Sequence, residues 1–312
     1  MQSKMTTLGQ VFDKVDQMSV NNHDKFINVR EISFENLSCI KISGEPHYLK
    51  PIAQQAICTK LGIPVTYMRK CPDHLQEYNL NHWIQKLKND ELFFRFDGED
   101  VRAIFTKKYR PVDNFEVLEK LDRLGFNSDQ QVQVSLDQEF MMLNIMDSQR
   151  TFSLDRNKDK MTPGISLSNS EVGLSALSIS AFFLRLVCTN GMISKTEVSA
   201  SYRHVSLKIL SELPQTLNRL QYELDGQKDK FRISLESRVS NFDETLTRFN
   251  RQFLLSKQEI SAVEWAKFEA GSIETMWDVI NIYTRASQHK ELSAQASYKL
   301  ERVGGDILAL LK

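Results

Sequence analysis

Lys107, Lys108, Tyr109 and Arg110 put three cations and an aromatic ring into four consecutive residues. That combination suits neutralising phosphates while a base stacks on the ring. Arg102 lies on the strand leading to this group and is expected to point from the same hairpin. Arg150, Arg156, Lys158, Lys160 and Arg203 would extend the surface through the middle of the chain. The bland alternative is a solvated strand edge with Tyr109 turned inward. Residues 148–208 carry eight basic and four acidic side chains, within a chain balanced at 40 of each. A second constellation is Cys188 with His204, which could pair as nucleophile and base across adjacent strands. A core cysteine and a histidine at a sheet-to-helix junction is the commoner reading of that pair. The chain has no phosphate-cradling glycine loop, no dinucleotide fingerprint, no zinc-protease helix and no nucleophile elbow. Its six histidines share no metal-ligand spacing. Asp97, Glu99 and Asp100 cluster where a solvated turn explains them. These residues therefore read as a non-catalytic binding protein without cofactor or metal.

The elements that must position these residues follow from periodicity and punctuation. Leu8, Val11, Phe12 and Val15 recur at helical spacing within an N-terminal helix or arm, 1–27. Residues 28–42 read as a hairpin turning near Asn36. A helix over 48–61 stops at Gly62, Pro64 opens a short one, and Pro72-Asp73 opens another that carries Leu75, Tyr78, Leu80, Trp83 and Leu87. Apolar runs at 92–96 and 101–105 flank Asp97-Gly98, a strong hairpin signal. A helix capped at Asp113 or Asn114 and closed by Gly125 precedes a hairpin over 132–145, and the polar stretch 148–163 reads as an exposed loop. From 164 to 204 the chain turns to strands. Residues 175–181 alternate small polar with apolar residues, and 181–188 is apolar except for Arg185, which must find a partner. Asn190-Gly191 supplies a tight primed turn.

Beyond His204 the pattern is helical. A helix restarts at Pro214 and runs through Leu217, Leu220 and Leu224. Phe231, Leu235, Val239, Phe242, Leu246, Phe249 and Phe253 then mark a heptad seam. Ser256 with Glu259 matches a capping box, 273–286 forms another helix, and the last helix is interrupted by Gly304-Gly305. The expected fold is α+β: a mixed, largely antiparallel sheet with flanking helices, then a C-terminal helical bundle with one long heptad-patterned helix. The expected divisions are 1–27, 28–205 and 206–312.

Four segments resemble the phage- and plasmid-encoded family called domain of unknown function 932. They are Lys108-Tyr109-Arg110-Pro111-Val112-Asp113-Asn114; Ser168-Asn169-Ser170-Glu171 with Gly173; Arg185-Leu186-Val187-Cys188-Thr189-Asn190-Gly191-Met192 with Arg203-His204; and Trp277-Asp278-Val279-Ile280-Asn281 with Thr284, Leu300-Glu301 and Gly305-Asp306. Ile280-Asn281-Ile282 departs from the valine-asparagine-alanine usual in relatives. The resemblance implies prophages and conjugative plasmids as the setting, and roles in DNA handling or in contending with host defences. Asn169, Ser170 and Asn190 read as turn residues. Asn281 and Thr284, three apart on one helical face, can share one partner. The expected partner is nucleic acid, single-stranded DNA above all, with a host protein as the alternative; the heptad seam suits an intramolecular helical hairpin, the commoner outcome, or a homo-oligomer. No apolar run reaches the length of a membrane span. The four cysteines form no close pair, which suits a reducing cytoplasm.

Overall fold

The computed structural model describes residues 4–87, 91–154, 160–185, 190–194, 200–202, 215, 228–271 and 273–311. The chain opens with β1 (Lys4–Thr7), α1 (Leu8–Ser19), β2 (Asn22–Asn28), β3 (Ile32–Phe34), β4 (Cys39–Ile42) and β5 (Glu45–Tyr48). Next come α2 (Pro51–Leu61), α3 (Val65–Met68), α4 (Asp73–Ile84), β6 (Glu91–Asp97), β7 (Asp100–Thr106) and α5 (Asn114–Arg123). The large sheet then adds β8 (Gln131–Leu136), β9 (Met141–Met146), β10 (Phe152–Ser153), β11 (Lys160–Asn169), β12 (Leu177–Arg185), β13 (Asn190–Ser194) and β14 (Ala200–Tyr202). Helices α6 (Lys228–Glu236), α7 (Phe242–Gln252), α8 (Lys257–Ala270), α9 (Met276–Ala286) and α10 (Ala294–Leu310) close the chain. The α+β class and the helical C-terminal region stand as expected.

Two compact units share these elements. The smaller comprises Lys14–Pro111 and Glu171–Leu174. It holds two antiparallel three-stranded sheets, β2-β6-β7 and β3-β4-β5. Their apolar residues join those of α2, α3 and α4 in one core around Phe34, Ile40, Leu49, Ile57, Met68, Leu80 and Phe94. Polar groups on α4 fix the chain at β3. The Asn81 amide accepts from Phe34 N at 2.8 Å and donates to Phe34 O at 2.9 Å, and Gln76 accepts from Leu37 N at 2.7 Å. Of the residues this helix carries, Gln76, Leu80 and Ile84 form the buried stripe, while Leu75, Tyr78 and Trp83 are exposed.

The larger unit comprises Met1–Asp13, Val112–Ser170 and Ser175–Lys312. Its sheet runs β1-β8-β9-β11-β12-β13, with β10 beside β11 and β14 beside β12, and every pairing is antiparallel. Cross-strand partners share a face, so the register sorts the side chains. One face carries Val134, Leu143, Leu167 and Ile179 in a row. The other carries Gln133, Asn144, Ser166 and Ser180, then Ser135, Met142, Ser168 and Ser178. The alternation in 175–181 suggests a wet polar face. Instead Gln133, Asn144, Ser166, Ser168 and Ser180 are all buried. Helix α10 crosses β8, β9 and β13, and its Ala294 and Tyr298 pack with Phe140, Met142, Phe182 and Leu184.

Four further expectations are corrected. The heptad seam does not form one long helix: α6 ends at Glu236 and α7 begins at Phe242, with Asn241 accepting from Glu244 N as its cap. Ser237, Val239, Ser240 and Asn241 are poor helix formers, and an Asn or Ser competes for the backbone at a helix start. Asn190-Gly191 is not a two-residue turn. Asn190 pairs with Arg185 and Gly191 with Leu184, inside the ladder, which puts the four connecting residues, 186–189, outside the described ones. The expected loop 148–163 ends early, since β11 starts at Lys160 and buries Met161, Thr162 and Pro163. Finally, α10 runs unbroken through Gly304-Gly305. The helix proposed to restart at Pro214 and carry Leu217, Leu220 and Leu224 lies outside the described residues, and the composition change at 205–210 falls inside the larger unit.

Gly304 marks a close helix crossing. A Cβ there would lie 2.7 Å from Thr284 Cγ2, and Thr284 is buried on α9. Alanine should add about 1 kcal/mol of helix propensity but lose about 1–3 kcal/mol to overpacking. Gly304→Ala is therefore expected to lower stability in urea titration. Adding Thr284→Ser removes the clashing methyl and should recover the loss; a double variant as weak as the single one would place the strain elsewhere.

Candidate nucleic-acid interface

The β6–β7 hairpin delivers Lys107 to Arg110 to a bend, where Tyr109 N donates to Thr106 O at 3.0 Å. Tyr109 is buried, while Lys107, Lys108 and Arg110 are exposed. Its ring lies 3.7 Å from that of Phe105 at an interplanar angle of 4° and also meets Phe93. Its hydroxyl donates to Glu171 O at 3.3 Å. Stacking a base on Tyr109 is thereby ruled out, because both the face and the polar tip are committed inside. The three cations form no ion pair among the described residues. Their arrangement can neutralise phosphates and carries no aromatic face of its own.

Arg102 is likewise withdrawn from any surface role. It is 6% exposed, and its Nη1 donates to Glu171 Oε2 at 2.8 Å. Arg95, 2% exposed, donates to Glu171 O at 3.1 Å and grips Asp24 through Nε and Nη2 at 3.0 and 3.1 Å. Two arginines and a tyrosine thus converge on one glutamate. Gly173, at φ +87°, completes the contact, since a Cβ there would meet the Phe105 ring at 2.7 Å. Glu171 and Gly173 of one motif and Tyr109 of the other thus meet in one interior junction of the smaller unit. Its signal was available: Arg95 is a lone charge in an apolar run, like Arg185.

In the larger unit, Asn169 Nδ2 donates to Val112 O at 2.9 Å and Asn114 Oδ1 at 3.0 Å, and Ser170 Oγ donates to Glu139 O at 2.7 Å. Both are buried latches rather than ligands. Arg150 and Lys160 are exposed. Arg185 is half-buried, with its guanidinium 5.6 Å from the Trp277 ring centroid. A ring face is one partner such a strand-end arginine can use. Asn190 stands in β13 opposite Arg185. Thr284 Oγ1 donates to Asn281 O at 3.1 Å, so these two serve their own helix. Arg156, Lys158, Cys188, Arg203 and His204 lie outside the described residues.

The polar row on the buried sheet face meets a residue that periodicity did not single out. Glu301 on α10 is fully buried. Asn144 Nδ2 donates to its Oε2 at 3.3 Å and to Gln133 Oε1 at 3.1 Å, and Ser287 Oγ donates to Oε1 at 3.5 Å. No cation pairs with it among the described residues. Burial pushes its carboxyl up to about 8, against the opposing hydrogen bonds from Asn144 and Ser287. At that value the carboxyl holds its proton for the most part near pH 7. Its signal was a charge on the apolar stripe of Leu300, Val303 and Ile307. Among the described residues, no group of three or more His, Cys, Asp and Glu is arranged to hold a metal ion.

A family model described as a domain of unknown function (DUF932) matches residues 102–303. No curated protein and no solved structure matches the chain.

Proposed function

We propose that this chain, which belongs to the DUF932 family, is a non-catalytic nucleic-acid-binding factor that grips the sugar–phosphate backbone. The observation that carries the reading is the exposed trio Lys107, Lys108 and Arg110, set outward by the buried Tyr109 and unpaired among the described residues. Each cation that meets a phosphate releases a condensed counterion, so binding is expected to be salt-dependent and indifferent to sequence. Single-stranded DNA from a phage or plasmid is the substrate we favour, handled in recombination or a related processing step. We place the factor in the cytoplasm, where the free thiols of Cys39, Cys58 and Cys71 would stay reduced; no helix of the described residues is long and apolar enough to cross a membrane.

Fluorescence anisotropy with labelled single strands over a salt series tests this. Three phosphate contacts predict a log–log slope of about −2 on single strands. Lys107→Ala/Lys108→Ala/Arg110→Ala should abolish most of that slope without loss of folding, since all three side chains are exposed. Binding absent at low salt, or untouched by the triple substitution, sinks the proposal.

A further inference from the structure

A cleft of about 620 Å³ opens in the larger unit, within the size range of small-molecule sites. Its walls include Phe253 after α7, Gln258 on α8, and Tyr298, Lys299 and Arg302 on α10. Arg302 lies with its guanidinium 5.9 Å from the Tyr298 ring centroid and makes no ion pair or hydrogen bond among the described residues. A guanidinium plane held against a ring offers five donors and a flat surface, on which a base can stack or a phosphate dock. Lys299 Nζ is tied to Leu254 O at 2.9 Å and to Glu259 Oε2 at 2.8 Å, which neutralises that acid and leaves one ammonium proton uncommitted. Asp306 is the other acid on the lining, and it has a partner. Leu254, which follows Phe253, lies in the left-handed region at φ +50°, with its side chain 83% exposed.

We propose that this cleft takes one unpaired nucleotide, its phosphate at Arg302 and Lys299 and its base against the Arg302–Tyr298 stack or Phe253. The assignment rests on the nucleic-acid reading and would supply the single-strand preference that the buried Tyr109 does not. It is tested on the full chain by calorimetric titration with dAMP, deoxyadenosine and inorganic phosphate. dAMP should bind at least tenfold more tightly than either part alone, and Arg302→Ala should weaken it at least tenfold. Arg302→Gln, which keeps the stem over Tyr298, should do the same and guards against a folding defect. Lys107→Ala/Lys108→Ala/Arg110→Ala should leave dAMP binding intact. If dAMP binds no better than phosphate, or Arg302→Gln binds it normally, the cleft is not a nucleotide site, even where long strands still bind with their salt slope. If dAMP binds as expected but no strand does, the cleft stands as a site for a free nucleotide and the backbone-binding reading falls.

Discussion

Arg102→Met is expected to cost about 3–5 kcal/mol of folding stability, the usual consequence of removing one partner from a buried ion pair. Arg102 and Glu171 are 6% and 8% exposed, and their ion pair spans 2.8 Å. Without the guanidinium, the Glu171 carboxylate would sit in a pocket that solvates it poorly, while Arg95 and Tyr109 still hold the backbone at that residue. The side chain would have to move to water, which loosens the junction that seats Tyr109. The single variant should therefore unfold at markedly lower urea, and its exposed cations should lose their fixed spacing. Removing both charges in Arg102→Met/Glu171→Leu leaves no buried charge stranded and should restore much of the stability. A double variant that loses the sum of the two singles would show that the pair is not coupled. If Arg102→Met instead stays fully stable and loses only nucleic-acid binding, the original surface reading of Arg102 was right.

Arg102 turns inward for a specific reason. Along β7 the period of two puts it beside Ile104, and nothing in that alternation points to Glu171, 69 residues away. A β-bulge intervenes: Arg95 pairs with Ala103 while Phe96 pairs with Val101, so Arg102 is the extra residue. A bulge re-aims a side chain, and here it lets Arg102 and Arg95 reach the same glutamate. Local signals served well wherever they acted locally. The Ser256–Glu259 capping box, the Asp97-Gly98 hairpin and the Gly62 helix stop all stand. They failed where a long-range choice overrode them. Gly304-Gly305 reads as a break by propensity, yet α10 continues because the bare backbone is what lets Thr284 approach. The heptad seam satisfies periodicity across a cap at Asn241 that period alone does not register. The cleft beside Arg302 draws on Phe140 before β9, Phe253 after α7, and residues of α8 and α10, brought together only by packing.

Glu301 should make stability fall as pH rises through the physiological range. Its carboxyl has an ordinary value of 4.5 and sits at about 8 in the folded chain. Between those values the folded state holds a proton that the unfolded state has released, so folding is progressively disfavoured as pH increases. The contribution is fully present below about 4.5, declines by roughly 1.4 kcal/mol per pH unit above it, and is gone once the pH passes about 8. Over that window the loss amounts to about 5 kcal/mol at most. Glu301→Gln keeps the size and an amide that can accept from Asn144, but has no proton to lose. The variant should match the parent near pH 4.5 and become increasingly the more stable of the two up to pH 8, as read from urea midpoints at several pH values. Parallel pH profiles for parent and variant would mean that the carboxyl is solvated after all. The physical stake is the polar layer between sheet and helix: Asn144 Oδ1, Ser166 Oγ and Ser297 Oγ are buried without partners among the described residues. Such groups are costly in an apolar interior, and a neutral acid among them costs far less than a carboxylate would. A protonated Glu301 thus lowers the cost of laying α10 across this face of the sheet.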